Sequence, residues 1–358
     1  MPAPRTAPDT PAASRPARPD TPAWARLLAD ALLAPTRAAL RRWAMAGVIT
    51  SALIILTGAA VRLSQSGLGC PDWPNCTTHS LAAGGTTGDS LIHRWIEFGN
   101  RLVTVGIFVV AIGVFVAAWR YRHDGGKRRA DLVWLAAAQP GAIVLQALLG
   151  GLVVLTKLNP ALVSAHFLAS VALVGATVAL YIRCQEITGP ATPLAPRPVR
   201  LAAYGVVAAV ALMMTAGTVV TGTGPLAGAA GVARYPLPLE GVTQLHADIG
   251  WLLGGLMVAL LLSMRLSGAP RRAERLGWLL AGLIGLQGVI GYAQYFSGLP
   301  AGLVWVHVTG SVAIWLVALS LPYTLRDRGA AAASRGVPLA DPPAESSPDR
   351  AIGTDLAR

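Results

Sequence analysis

Eight apolar runs, each about twenty residues long, dominate the chain, and an α-helix of this length spans the hydrocarbon core of a bilayer. Hydrophobic residues make up 54% of the 358 residues and charged residues only 13%, which is outside the usual composition of soluble domains. The sequence therefore predicts an all-α integral membrane protein with eight transmembrane helices. The predicted spans are 44–62, 93–119, 131–153, 163–182, 201–221, 244–264, 276–296 and 302–323.

Lysine and arginine residues are concentrated in alternate connections between these runs, and cytoplasmic segments of membrane proteins carry such an excess. Because the number of runs is even, both termini lie on the same side of the membrane. The basic tails predict that this side is the cytoplasm. The formal net charge of +12 belongs to these clusters, so we expect contact with membrane lipid and no binding of nucleic acid. The basic segments are the N-terminal tail, 120–129, 183–200, 265–275 and the C-terminal tail, whereas the opposite connections hold only Arg62, Lys157 and Arg234.

A repeated motif divides the chain into two related halves. The segment Gln146-Ala-Leu-Leu-Gly150 begins twenty residues before His166, and Gln287-Gly-Val-Ile-Gly291 begins twenty residues before His307. We expect two four-helix bundles related by a pseudo-two-fold axis along the membrane normal. The predicted organisation is a disordered cytoplasmic tail at 1–43, an N-terminal half at 44–182 with an outer loop at 63–91, a cytoplasmic linker at 183–200, a C-terminal half at 201–323 and a second disordered tail at 324–358.

Three histidines lie near the outer ends of predicted helices: His166 in the fourth, His246 in the sixth and His307 in the eighth. Ionisable residues within a membrane span are costly and are therefore candidates for function. A single buried histidine is most often a packing residue, but three at one depth favour haem, whose iron takes an axial ligand on each face. Zinc is less favoured, since no thiolate or carboxylate completes a tetrahedral site in the second half.

The start of the second span carries His93, Glu97 and Asn100, which share one helix face at positions i, i+4 and i+7. Glu97 is a candidate catalytic carboxylate, either as a proton acceptor or as a group that stabilises developing positive charge. The alternative is an ion pair with a neighbouring arginine that anchors the helix. Outer arginines are candidates for binding haem propionates, with contact to lipid headgroups as the alternative. They are Arg62, Arg94, Arg101 and Arg234.

Two cysteines, Cys70 and Cys76, bracket Pro-Asp-Trp-Pro-Asn in the first outer loop. An extracytoplasmic pair in a turn-rich segment favours a disulfide, and such a loop would cover the outer mouth of the first half. Two free thiols in a mobile loop are the alternative. Cys184 lies on the cytoplasmic side and is expected to be reduced and inert.

The stretch at 58–74, Gly58-Ala-Ala-Val-Arg-Leu-Ser-Gln-Ser-Gly-Leu-Gly-Cys-Pro-Asp-Trp-Pro, resembles the first-helix and loop signature of haem A synthases, and 44–323 as a whole is similar to that family. The resemblance implies two four-helix halves, one for the substrate haem O and one for a haem b cofactor. It also implies oxidation of the C8 methyl of haem O to the formyl of haem A, in successive steps, for terminal cytochrome oxidases. A functional pairing with a haem O synthase follows from the family, whereas the electron acceptor is not identified.

By position, the resemblance makes His246 and His307 the axial pair of haem b and His166 a ligand of the substrate haem. Glu97 matches the carboxylate that the family is proposed to use in methyl oxidation. The cysteine pair matches the family's outer-loop cysteines.

One position departs from the family pattern. Where Glu-x-x-His-Arg is expected, the chain reads Glu97-Phe-Gly-Asn100-Arg101, and asparagine is a poor ligand for iron. The substrate haem is then either five-coordinate through His166 or ligated by His93, two turns before Asn100 on the same face.

Two other classes of protein share the histidines. A b-type cytochrome that only carries electrons needs paired histidines in both halves, and a haem exporter or chaperone leaves the porphyrin unchanged. The loss of one ligand from the first half favours a substrate site over a permanent cofactor site. The composition, rich in alanine and arginine, indicates a bacterial plasma membrane, and the sequence leaves open whether the protein is a homo-oligomer.

Overall fold

The computed structural model describes residues 35–78, 80–83, 89–122 and 126–329, together with two isolated residues before them. Within these residues, eight helices are long and apolar enough to cross a membrane, which confirms the predicted fold class. They are α1 (Arg37–Leu63), α2 (Asp89–Arg120), α3 (Ala130–Leu155), α4 (Pro160–Arg183), α5 (Arg197–Thr223), α6 (Leu239–Leu266), α7 (Arg271–Phe296) and α8 (Ala301–Thr324).

The helices extend beyond the apolar runs that predicted them. α1 begins at Arg37 instead of residue 44, and the side chain of Thr36 caps it by accepting a hydrogen bond from the N–H of Ala39 at 3.2 Å. α6 begins at Leu239, five residues before its apolar run. Helical hydrogen bonding continues where the hydrocarbon ends, because polar side chains are stable in the headgroup region. Hydropathy therefore located the membrane core but not the helix ends.

The predicted tails at 1–43 and 324–358 lie largely outside the described residues. Beyond α8, however, the described chain forms a short strand, β2 (Arg326–Asp327), that pairs antiparallel with β1 (Thr192–Pro193). The N–H of Leu194 also donates to the carbonyl of Leu325 at 3.0 Å. The linker between the halves thus holds the first residues after α8, which the sequence had assigned to a tail.

The two halves have the same internal arrangement of helices. In the first half, α1 and α3 each pack against both α2 and α4, and in the second half α5 and α7 each pack against both α6 and α8. In the first bundle α2 therefore lies diagonally opposite α4. In the second bundle α6 lies diagonally opposite α8. The halves meet along α1, α4, α5 and α8.

Two tryptophans of α8 join it to the first half. The Nε1 of Trp315 donates to the carbonyl of Val171 in α4 at 2.9 Å, and the Nε1 of Trp305 donates to the carbonyl of Leu56 in α1 at 3.0 Å. One cluster of buried hydrophobic residues runs through both halves around these contacts. The bonds fix the depth of α8, which carries His307, relative to the first bundle.

Close packing of α1 on α2 generates a test of the fold. A Cβ atom at Gly113 would lie 2.5 Å from the ring of Trp43, so we expect Gly113→Ala to destabilise the protein by about 1–3 kcal/mol through overpacking. Gly106, in the same helix, has open space at its Cβ position, and Gly106→Ala is the matched control. Thermal unfolding in one detergent, followed by circular dichroism, should show a lower Tm for Gly113→Ala alone. Equal midpoints for the two variants would contradict the contact.

Candidate functional site

The three histidines singled out by the sequence lie at one depth, about two turns from the outer ends of α4, α6 and α8. All three are half-buried. His246 and His307 face each other across the second bundle, with ring centroids 6.3 Å apart and ring planes at 66°. The second half therefore presents two opposed imidazoles from diagonal helices.

Each imidazole packs against a glycine on a neighbouring helix. A Cβ atom at Gly217 in α5 would lie 3.3 Å from the Cε1 of His246, and the corresponding distance is 3.4 Å for the pairs Gly150–His166 and Gly291–His307. The Nδ1 atoms of the three rings are buried without a hydrogen-bond partner among the described residues, although His246 approaches the carbonyl of Met213. The glycines thus let each ring lie against a helix backbone at the depth of the site.

The pair in the second half fits an iron porphyrin. Because a metal–imidazole bond is about 2 Å long, two imidazoles on opposite faces of one metal ion place their centroids roughly 6 Å apart. The separation of 6.3 Å between His246 and His307 agrees with this value. The described residues contain no group of three or more His, Cys, Asp or Glu side chains able to hold a metal ion. A porphyrin brings its own equatorial nitrogens, so two protein ligands are enough to complete its iron.

The first half keeps one of these histidines and lacks its partner. By the repeat, Asn100 on α2 takes the place of His246 on α6, and its Oδ1 is buried without a partner among the described residues. Gly58, three residues before Val61 in α1, corresponds to Gly217, three residues before Val220 in α5. No described atom lies within 4 Å of a Cβ atom at Gly58, so the contact of Gly217 with an imidazole has no counterpart there. His166 is the one histidine of this repeat in the first half.

The disulfide predicted between Cys70 and Cys76 is present and closes a cysteine loop, residues 70–76, over α2. Glu97 is only 6% exposed and accepts hydrogen bonds from the N–H of Cys70 and from Arg101, both at 2.7 Å. The ion pair that the sequence offered as an alternative role for Glu97 is therefore formed. Arg101 also donates, at 2.9–3.4 Å, to the carbonyls of Cys70, Asp72, Pro74 and Asn75.

Trp73 extends from the cysteine loop onto α3. A Cβ atom at Gly151 would lie 2.5 Å from its indole ring, so the ring rests directly on this glycine. The preceding residue, Gly150, contacts His166. Trp73 and His166 thus touch adjacent residues of α3, and the cysteine loop lies beside the first-half site on its outer side.

His93 is bonded to the outer loop. Its Nδ1 lies 2.8 Å from the Oγ of Ser66, which is fully buried. Seven residues separate His93 from Asn100, which corresponds to about 10 Å along a helix axis. This offset favours a one-sided site, while ligation of the substrate iron by His93 stays an untested prediction.

Arg62 links the outer ends of the two halves. Its guanidinium donates to the carbonyls of Thr221 at 2.6 Å and Leu226 at 2.9 Å. Nearby, the N–H of Gly67 donates to the carbonyl of Gly228 at 2.9 Å. Arg62, predicted as a propionate ligand, is thus directed towards backbone of the second half.

The remaining candidates lie on α2, in the third outer loop and at the end of α4. Arg94 is half-buried near the outer end of α2, and Arg234 is exposed in the third outer loop, where it donates to a loop carbonyl at 3.3 Å. Cys184 is buried at the cytoplasmic end of α4, and this burial raises the pKa of its thiol to about 11, in keeping with the predicted inert cysteine. His79 and His123 lie outside the described residues.

Sequence reasoning identified the histidines but missed the glycines that face them. The repeated Gln-x-x-x-Gly motif carried that signal, because Gly150 and Gly291 recur at one distance before a histidine. The side chain of Gln146 in this motif donates to the carbonyl of His166 at 3.0 Å and to the Oγ of Ser170 at 2.7 Å. The repeat is therefore a local unit that positions the imidazole.

The known proteins that this chain resembles belong to one family. A sequence profile of the COX15-CtaA family, described as cytochrome oxidase assembly protein, matches residues 41–319. The chain is 25% identical over 332 residues to the haem A synthase of Shewanella oneidensis, covering 78% of this chain and 94% of that protein. It is 35% identical over 129 residues to the haem A synthase of Lysinibacillus sphaericus, covering 36% and 39% of the two chains. With eight spans and bacterial relatives, it is a multi-pass plasma-membrane protein.

The contacts of Arg101 predict how firmly the cysteine loop is held. We expect Arg101→Gln to release the loop, since the guanidinium is the donor for four loop carbonyls. Reduction of the disulfide by a soluble thiol, followed by labelling and intact mass, should become about tenfold faster, as expected for the loss of charged hydrogen bonds. Arg234→Gln, which removes an exposed arginine from the other long outer loop, is the control. An unchanged rate in Arg101→Gln would show that the disulfide is protected by something else.

Proposed function

The chain belongs to the COX15-CtaA family of cytochrome oxidase assembly proteins, and we propose that it acts as a haem A synthase. In this reaction the C8 methyl group of haem O is oxidised to the formyl group of haem A in successive steps. The observation that carries the proposal is the difference between the halves, with a pair of imidazoles in one and Asn100 in place of the second imidazole in the other. A permanent cofactor suits the first arrangement, and a substrate that enters and leaves suits the second.

In the second half, His246 and His307 would hold the iron of haem b. When bound, haem b supplies one-electron transfer. The protein contributes the positions of the two rings, through Gly217 and Gly291 behind them. The hydrogen bonds of the α8 tryptophans fix the depth of α8, which carries His307, relative to α1 and α4.

In the first half, His166 would bind the iron of the substrate from one side. This assignment takes the five-coordinate alternative, in keeping with the open space at Gly58. The buried Oδ1 of Asn100 is available as a hydrogen-bond acceptor on the other side. A single axial ligand holds the haem less firmly than two do, which suits release of the product.

Glu97 lies one turn before Asn100 on α2, and we assign it the acceptance of a proton during oxidation of the methyl group. A carboxylate can accept about four hydrogen bonds, and the bonds from Cys70 and Arg101 leave some of this capacity free. The cysteine loop and Trp73 would limit the access of water from the outer side. Arg94 and Arg234 stay as candidates for the propionates.

The proposal places the protein after a haem O synthase, which must supply the substrate, and before an electron acceptor. The b-type cytochrome and the haem exporter remain the alternatives, and neither alters the porphyrin. Expression with a haem O synthase in a host that lacks haem A separates them. We expect haem A or its hydroxylated precursor among the extracted haems, identified by chromatography and mass. Haem b alone, despite a supply of haem O, would favour the electron carrier.

Two variants separate a chemical role of Glu97 from its anchoring of the cysteine loop. We expect Glu97→Gln to abolish haem A formation, because an amide cannot accept the proton. Arg101→Gln removes the anchor but leaves the carboxylate, and we expect it to retain part of the activity. The thiol reduction assay reports the state of the loop in both. If Glu97→Gln and Arg101→Gln lose the same activity, and the loss in each follows the opening of the cysteine loop, then Glu97 only anchors the loop.

The two halves should respond differently to loss of a histidine. We expect His307→Ala to lose the absorption spectrum of a six-coordinate haem, because His246 then has no opposed imidazole. His166→Ala should keep that spectrum and lose haem A formation. His93→Ala should leave both unchanged if His166 is the only iron ligand in the first half. A spectral change in His93→Ala would assign the second ligand to His93.

A further inference from the structure

A small polar cavity lies at the cytoplasmic end of the second half, far from the histidines. It has a volume of about 150 Å³ and lies between the start of α5, the end of α8 and the strand β1. Its lining residues are Ala191, Pro193, Arg200, Tyr204, Pro322 and Arg326. No acidic side chain is among them, so the only formal charges in the lining are two guanidinium groups.

Both guanidinium groups have unused donors. The Nε of Arg200 and the Nε of Arg326 are buried, and neither has an acceptor among the described residues. A buried donor without an acceptor is unfavourable, and for a charged group the cost is larger than for a neutral one. Arg326 is held in place by bonds of 3.1 Å from its NH2 to both oxygens of Glu186 and by the ring of Tyr323, 4.4 Å away. Arg326 therefore has a fixed position in the lining of the cavity.

Arg326 belongs to a network of ion pairs that is mainly positive. The network joins four arginines to two carboxylates, and positive charge stays in excess when Asp327, beside Arg326, is counted. The arginines are Arg129, Arg183, Arg326 and Arg328, and the carboxylates are Asp131 and Glu186. Glu186 is shared by three of these arginines and cannot neutralise all of them.

The position of the cavity indicates what the anion is. Arg200 is the fourth residue of α5, at the level where the helix enters the cytoplasmic headgroup region under the predicted orientation. Tyr204, one turn further into the membrane, is 57% exposed on the outside of the bundle. Guanidinium groups bind phosphate through paired N–H donors, and a water molecule occupies about 30 Å³, so the cavity has room for a phosphate group but not for an acyl chain.

We propose that this cavity binds the phosphate group of an anionic phospholipid of the cytoplasmic leaflet. Arg200 and Arg326 donate to the phosphate oxygens, and the lipid chains run down the exposed side of α5 past Tyr204. A soluble phosphate ester presents the same chemistry without the chains. The site is separate from the histidines and does not depend on the proposed haem chemistry.

The test uses the full chain in detergent and measures its Tm against added phosphatidylglycerol, phosphatidylcholine and glycerol phosphate. We expect phosphatidylglycerol alone to raise the midpoint. Arg200→Gln should need about tenfold more of this lipid for the same rise, since it removes a charged donor. Arg275→Gln, an exposed arginine at the cytoplasmic start of α7, is the matched control and should respond as the unchanged chain does. Arg200→Lys keeps the charge but not the paired donors. It should need a lipid concentration between those that Arg200→Gln and Arg275→Gln need.

Equal responses of Arg200→Gln and Arg275→Gln would overturn the site, because the lipid would then act through general surface charge. Equal effects of phosphatidylcholine and phosphatidylglycerol would also overturn it. A rise with glycerol phosphate that depends on Arg200 would support the phosphate site but overturn its assignment to a lipid. If Arg200→Gln fails to fold, the comparison between Arg200→Lys and Arg275→Gln decides the question in the same way.

Discussion

The arrangement of the site depends on imidazole rings that lie within the membrane span and against a neighbouring helix backbone. A polar ring in this region is stable only when protein surrounds it, and the glycine opposite each ring makes such an approach possible. Any side chain at Gly217 would begin 3.3 Å from the ring of His246 and force it to move. The depth of the rings, their separation of 6.3 Å and the asymmetry of the two halves all build on these glycine contacts.

The duplication explains why the two halves are alike and where they differ. Both bundles use the same neighbours and the same diagonal pairs of helices, so a ligand from α2 or α6 can face one from α4 or α8. The difference that the proposal rests on is a single position, Asn100, which stands where the second half has His246. The glycine at position 58 is retained, although no described atom contacts its Cβ position.

Much of the fold was predictable because long apolar runs, repeated motifs and charge clusters are local or periodic signals. The eight spans and the Cys70–Cys76 disulfide were predicted correctly. The helix ends were not, since hydropathy does not mark where helical hydrogen bonding stops. The contacts of Trp73 with Gly151 and of Arg62 with Thr221 join residues far apart in sequence, and no spacing rule connects them. Glu97 was recognised as important, but its bonds to the cysteine loop depend on a tertiary contact.

The bonds from Arg62 and Gly67 to the second half have a thermodynamic consequence. Three hydrogen bonds join Arg62 and Gly67, at the outer end of α1 and in the loop after it, to Thr221 at the end of α5 and to the third outer loop, residues 224–238. A displacement of either side therefore disturbs these bonds. If binding of a ligand in the first half moves the outer end of α1, the free energy of that movement includes the change in these bonds to the second half. Coupling of this kind is reciprocal, so the occupancy of either half alters the affinity of the other by the same factor. Arg62 is therefore one of the residues that join the outer ends of the two halves.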